Sequence, residues 1–343
     1  MNGLYKLAEL DANLVEALSN RATELRRGAT PANYEGLALG LLFLAPSLRT
    51  QASMQRAAQL LGLDLVQLQG SSMWGLETGE GVVMDSDAAE HVREAAPVLS
   101  SYVDALCVRS FARFEDIAKD LADDVFQGFV QHATVPTISM ESALWHPLQA
   151  LADRATLDQI KVSTRAKLVL TWAWHPRSLP HAVANSTVCM AAQRGMDVVL
   201  CCPEGWELHE EVIAEAEALA QAHGGSFQIT NDPAATKDAD IVYAKSWSSL
   251  GAWGDPAAES LKKLELRNWQ VTPDSLRSGA RFMHCLPVRR NVVASDAVLD
   301  SPASLVLRQA ENRLHVQTAV LEHTLSAPTD CESPLPLPAE VGT

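Results

Sequence analysis

Apolar residues recur at helical spacing over residues 6–27, where Leu7, Leu10, Leu14, Ala17 and Leu18 share one face. Residues 36–45, GLALGLLFLA, form a continuous apolar run, the pattern of a strand buried on both faces. Helical spacing returns over 47–61 through Met54, Ala57, Ala58 and Leu61, and Gly62 stops it. The next segment, LDLVQL, reads as a strand. Asp87 and Glu90 have the spacing of a capping box ahead of a helix carrying Val92, Ala95, Ala96 and Leu99. Pro97 falls inside that pattern and is expected to kink or shorten it. Further strands are expected near 103–108, 136–140, 167–172, 197–202, 225–229, 239–244 and 281–284. Helical patterns separate them near 115–131, 145–157, 179–194, 208–222 and 257–266.

This alternation predicts an α/β fold with two doubly wound, mostly parallel sheets. At roughly 150 residues per domain, 343 residues also give two domains. The break is expected at the helix that begins near Trp145. A long amphipathic helix follows at about 310–325, and the proline-rich polar tail 327–343 is expected to be disordered. There is no internal repeat.

Composition narrows the class. The chain carries 27 Lys+Arg against 42 Asp+Glu, a formal net charge of −15, which argues against nucleic acid or an anionic membrane as partner. No apolar run reaches the roughly 18 residues of a membrane span. The first residues, MNGLYKLAELDANL, are acidic and polar, unlike a signal peptide. Six cysteines are scattered without a C-x-x-C pair, which fits reduced thiols in a cytoplasm and makes a structural zinc site improbable.

Five segments can carry chemistry. Pro46-Ser47-Leu48-Arg49-Thr50 lies between a buried strand and a helix, so Ser47 can cap that helix. Hydroxyls, free first-turn N–H groups and an arginine suit a phosphate-sized anion. His146-Pro147-Leu148-Gln149 opens another helix, and a histidine there resists protonation and can donate to an oxyanion. His284-Cys285-Leu286-Pro287 ends a strand, the place where open α/β sheets bind ligands. Arg109 follows a strand, and Glu311-Asn312-Arg313 opens the last helix. Singly, each also reads as a helix cap or a surface charge.

In this order, S-x-R-T, R, H-P-x-Q, H-C-L-P and E-N-R resemble the aspartate/ornithine carbamoyltransferase family over about residues 35–325. The resemblance implies two α/β domains, one for carbamoyl phosphate (1–145 with 310–326) and one for the amine substrate (146–309). It also implies a last helix that packs back on the first domain, and a homotrimer in which a loop of one subunit completes its neighbour's site. Carried over position by position, carbamoyl phosphate would meet Ser47, Leu48, Arg49, Thr50, Arg109, His146, Gln149, Cys285, Leu286 and Arg313, with Trp74 reaching in from the neighbouring subunit. Arg49, Thr50, Arg109 and His146 would be catalytic. No metal or cofactor is implied, and Cys285 is not expected to act as a nucleophile.

One position separates this chain from ordinary ornithine carbamoyltransferases. Where their D-x-W-x-S-M-G pattern places an aspartate against the α-ammonium of ornithine, this chain has Lys245 in Lys245-Ser246-Trp247. A lysine would repel an α-ammonium but can pair with an α-carboxylate once the nitrogen is acylated. Together with Trp172-Ala-Trp174-His175-Pro176, Ala184-Asn185-Ser186 and the loop Met84–His91, this resembles the N-acylornithine carbamoyltransferases of arginine synthesis. The acylornithine would then meet Glu141, Asn185, Lys245, Leu286 and the loop residue Ala89. The position of Ala89 tends to be Glu in acetyl-using relatives and Pro in succinyl-using ones. Alanine leaves space and no repelling charge, which favours N-succinylornithine over N-acetylornithine. An ordinary ornithine carbamoyltransferase and a non-catalytic paralogue are the remaining alternatives. A nucleotide-binding dehydrogenase would need G-x-G-x-x-G at a helix start, and the chain has none.

Overall fold

The long apolar run of the first half becomes a central strand because both of its faces are covered. In the computed structural model, which describes residues 3–70, 75–85 and 87–326, it is β2 (Ala38–Phe43), with Leu39 and Leu42 fully buried. Around it stand β1 (Gly3–Leu4), β3 (Asp64–Gln69), β6 (Ala105–Arg109) and β7 (Thr137–Glu141), all parallel, in the order β1-β7-β6-β2-β3. The short pair β4 (Gly75–Glu77) and β5 (Ala88–His91) forms a separate parallel ribbon. A second parallel sheet contains β8 (Lys167–Trp172), β9 (Asp197–Cys201), β10 (Ser226–Thr230), β11 (Ile241–Lys245) and β12 (Arg281–Met283), in the order β10-β9-β8-β11-β12.

Both orders reverse direction once. The chain leaves β2 for β3 on one side and later returns to β6 and β7 on the other. It leaves β8 for β9 and β10, then returns to β11 and β12. The loops at the carboxyl ends of β2 and β6, and of β8 and β11, therefore diverge and leave crevices.

The helices are α1 (Ala12–Arg26), α2 (Leu48–Leu60), α3 (Val92–Ser100), α4 (Ile117–Leu121), α5 (Asp124–His132), α6 (Pro147–Gln159), α7 (Ala182–Gln193), α8 (Glu210–Ala222), α9 (Pro256–Lys262), α10 (Asp296–Leu299) and α11 (Val306–Ser326). Eleven of the thirteen residues of α6 are buried, because α1, α7 and α11 enclose it. The last described helix, α11, packs on α1, α2 and α6.

Four expectations need correction. The first helix starts at Ala12, capped by the Asp11 carboxylate, and residues Leu7–Glu9 form a 3-10 turn. Asp87 and Glu90 make no capping box: Ala88–His91 is strand, and His91 Nδ1 caps α3 by accepting from Arg93 N at 3.1 Å. The pattern at 115–131 breaks into α4 and α5 at Asp123, which sits at φ 50°. Its buried carboxylate accepts from Tyr5 Oη (3.1 Å), Ala143 N (3.2 Å), Leu144 N (3.3 Å) and Ser142 Oγ. Those tertiary bonds outweigh local helix propensity. The pattern at 257–266 likewise ends as α helix at Lys262 and continues as a 3-10 turn over Leu264–Leu266. Pro97 lies within α3, which is only nine residues long.

Candidate active site

The first sheet supplies an anion cradle because of how β2 hands over to α2. Ser47 is in extended conformation and its Oγ accepts from Thr50 N at 3.3 Å, which starts the helix at Leu48. The first-turn N–H groups and the positive end of the helix dipole then face the crevice beyond β2. Arg109 ends the neighbouring strand β6, across the reversal point. Its Nη1 donates to Glu141 Oε2 at 2.7 Å, from the end of β7.

Two helices complete the cradle. Residue His146 precedes α6, with Pro147 at the first helical position and Gln149 in the first turn. From α11, Arg313 Nη2 donates to Thr50 Oγ1 and Nη1 to Gln149 Oε1, both at 3.0 Å. Arg109 Nε and Arg313 Nε are buried with no hydrogen-bond partner among the described residues, so each retains a donor.

The imidazole of His146 is held neutral. Burial pushes its pKa well below the ordinary value, and Arg313, Arg109, Arg49 and Lys245 push the same way. Its Nε2 lies 3.4 Å from Glu141 Oε2, and its backbone N–H donates to Ser186 Oγ at 2.8 Å. A neutral imidazole in this place can donate a hydrogen bond without adding another cation.

The second sheet brings the rest. Lys245 ends β11, paired in register with Trp172 of β8, and is 8 % exposed. Its Nζ donates to Ser246 O at 2.6 Å. After β12, Leu286 takes the left-handed conformation (φ 58°) and Leu286 N donates to His284 Nδ1 at 2.9 Å. Burial raises the Cys285 thiol to about 11, so it stays protonated at neutral pH. Burial also lowers His284 to about 3.

One cleft of about 530 Å³ gathers Ser47, Leu48, Arg49, Thr50, Arg109, Glu141, His146, Gln149, Lys245, Cys285, Leu286 and Arg313. Among the described residues it is lined by five cations, Arg49, Arg109, Arg177, Lys245 and Arg313, and by the single carboxylate Glu141. The cleft is cationic although the chain is acidic. Burial lowers Arg313 to about 10 and lowers Arg49 as well, the response of guanidiniums crowded without enough counter-charge.

Two of the sequence candidates stand elsewhere. Asn185 does not line the cleft; it donates through Nδ2 to Leu144 O at 3.1 Å, two residues before His146. Ala89 is exposed on β5 and does not line the cleft of its own chain. Trp74 lies outside the described residues. The cleft also includes residues that were given no role from sequence: His175, Arg177, Ser246 and His284. His175 and His284 stood inside quoted motifs, and their strand-end positions were the available signal. Arg177 carried none, since a single arginine after a proline is not distinctive.

The geometry has counterparts among known proteins. Residues 3–159 match the family model of the aspartate/ornithine carbamoyltransferase carbamoyl-P binding domain, and residues 171–324 match that of the Asp/Orn binding domain. An N-acetylornithine carbamoyltransferase of Xanthomonas campestris pv. campestris is 40% identical over 325 residues, covering 92% of this chain and 94% of that protein. An N-succinylornithine carbamoyltransferase of Bacteroides thetaiotaomicron is 40% identical over 290 residues, covering 84% of this chain and 87% of that protein. A crystal structure of a mutant N-acetyl-L-ornithine transcarbamylase, complexed with carbamyl phosphate and N-succinyl-L-norvaline, superposes with a TM-score of 0.91 at 38% identity, covering 94% of this chain and 100% of that one. The chain is thus a carbamoyltransferase and belongs to the aspartate/ornithine carbamoyltransferase family, in its N-acylornithine branch.

Proposed function

We propose that the chain transfers the carbamoyl group of carbamoyl phosphate to the δ-amine of N2-succinyl-L-ornithine, giving N-succinyl-L-citrulline and phosphate, as a cytoplasmic homotrimer in arginine biosynthesis. The observation that carries the N-acyl reading is Lys245, a buried cation at the end of β11 facing a cleft with one carboxylate. A free α-ammonium would be repelled there, whereas an acylated ornithine offers only its carboxylate.

The phosphate fits between Arg49, Arg313 and the amino end of α2, which also stabilise it as it leaves. Thr50, Arg109 and neutral His146 donate to the carbonyl oxygen as it gains negative charge. The δ-amine must be deprotonated before it attacks the carbonyl carbon. With a lysine-like pKa of about 10.4 this costs about 4.6 kcal/mol at pH 7, a cost that the surrounding cations lower. The Leu286 carbonyl and Glu141 are placed to orient the acceptor, and the departing phosphate can take the amine's proton. Trp74 completes the site from a neighbouring subunit in this reading.

The succinyl group is favoured by two features. Ala89 replaces the loop glutamate of acetyl-using relatives, and the mutant transcarbamylase complexed with N-succinyl-L-norvaline is one in which a glutamate is replaced by alanine. Arg177 lines the cleft with no carboxylate partner among the described residues, which suits an additional substrate carboxylate. N2-acetyl-L-ornithine is the second reading, favoured by the longer match to the Xanthomonas enzyme. A colorimetric citrulline assay with ornithine, N-acetylornithine and N-succinylornithine in parallel tests both. The expected order of kcat/KM is succinyl, acetyl, then ornithine. Highest activity with free ornithine would refute the role of Lys245.

A further inference from the structure

Asp153 is completely buried on α6, one turn beyond Gln149, and does not itself line the cleft. Its Oδ1 accepts from Gln149 Nε2 at 2.8 Å and from Gln309 Nε2 at 2.7 Å, and its Oδ2 accepts from the Tyr243 hydroxyl at 2.9 Å. An ionised carboxylate only accepts, so it dictates which end of each amide it faces. Both glutamines turn their NH2 groups inward and their carbonyl oxygens outward.

Those two oxygens reach opposite sides of the site. Gln149 Oε1 accepts from Arg313 Nη1 at 3.0 Å. Gln309 Oε1 accepts from His284 N, also at 3.0 Å, and His284 Nδ1 in turn accepts from Leu286 N. A flipped amide at either place would set donor against donor. Tyr243 lies two residues before Lys245 on the same face of β11, so the third bond ties the carboxylate to that strand as well.

We propose that Asp153 is a positioning residue that fixes Arg313 relative to the His284–Leu286 segment by orienting the amides of Gln149 and Gln309. It couples the phosphate half of the cleft to the acceptor half, and it rests on the substrate reading given above.

The test compares wild type with Asp153→Ala, Asp153→Asn and Gln309→Met, each checked for fold by circular dichroism and thermal midpoint. Kinetics are run with carbamoyl phosphate and N-succinylornithine or N-acetylornithine, well below the midpoint. Folded Asp153→Ala is expected to lose about a hundredfold in kcat/KM for both substrates, the order that a ~1 Å misplacement costs. Asp153→Asn keeps an oxygen that both amides can donate to, and should recover most of that loss. Gln309→Met frees only the His284 arm, and should lower kcat/KM for the amine while the KM for carbamoyl phosphate stays. A folded alanine variant with wild-type kinetics, or an asparagine variant as impaired as alanine, overturns the proposal. If the alanine variant does not fold, unchanged kinetics in Gln309→Met overturns it. Should wild type turn over neither acylornithine, the substrate reading has failed. Calorimetric titration with carbamoyl phosphate then decides the role of Asp153, since equal affinity in wild type and the alanine variant overturns it.

Discussion

At the scale of single residues, the motif Glu311-Asn312-Arg313 shows how little adjacency says about role. Arg313 enters the cleft, Asn312 is buried between helices, and Glu311 is half exposed in an ion pair with Arg26 at 3.0 Å. In the proposed reading, specificity turns on Lys245. Lys245→Ala should raise the KM for acylornithine by about a hundredfold, the loss of a charge-assisted contact of about 3 kcal/mol, and leave carbamoyl phosphate binding intact. Parallel calorimetry with the two ligands checks this, and equal weakening of both would place Lys245 in the phosphate site. Ala89→Glu is expected to lower kcat/KM for N-succinylornithine relative to N-acetylornithine. An unchanged ratio would remove the loop from the specificity argument. Because Ala89 does not line its own chain's cleft, the proposed trimer predicts that such an effect comes from a neighbouring subunit.

At the scale of elements, α11 is held to α6 by a polar lock. Asn312 Nδ2 donates to Thr156 Oγ1 at 2.8 Å and to Gln159 Oε1 at 3.1 Å, while Asn312 Oδ1 accepts from Gln159 Nε2 at 3.0 Å. Asn312→Ala strands those partners and should cost about 1–3 kcal/mol of stability. Urea unfolding measures it, and a loss below a few tenths would show the lock to be dispensable. Glu311→Ala, by contrast, removes a half-exposed ion pair and should change stability by less than about 1 kcal/mol. Sequence periodicity located these helices well where one face was apolar throughout, as in α2 and α8. It failed at Asp123 and at Asp87–Glu90, where distant partners decide. The backbone at Asp123 follows from Tyr5 and residues 142–144, and Ala88–Glu90 is drawn into a ribbon with β4.

At the scale of the whole molecule, burial of histidines sets the response to pH. His146 is held well below its ordinary pKa, His175 and His181 fall to about 4 and His284 to about 3, each chiefly by burial. The unfolded chain then binds protons that the folded chain refuses. Their contribution is complete above about pH 6.5 and is lost as pH falls through the folded values. Asp123 and Asp153, raised to about 6 by burial, act oppositely, favouring the fold at acid pH and losing that contribution as pH rises to about 6. Four histidines against two aspartates leave a net loss on acidification. Denaturant unfolding should therefore give lower stability at pH 5 than at pH 7.5, and an equal or higher value at pH 5 would contradict the burial assignment.

The α/β alternation, the order of the five motifs and the reversal of charge at Lys245 are legible along the chain, because these are local properties of residue type and spacing. That Arg49, Arg109, Lys245 and Arg313 share one cleft, while Ala89 and Asn185 do not line it, follows from packing alone. Strand order within each sheet places the crevices, and α6 and α11 carry Gln149 and Arg313 to the first of them. Packing likewise decided the place of Asp153, which has no signature along the chain. Its partners come from α6, β11 and α11, and a buried carboxylate acquires meaning only from the donors that surround it.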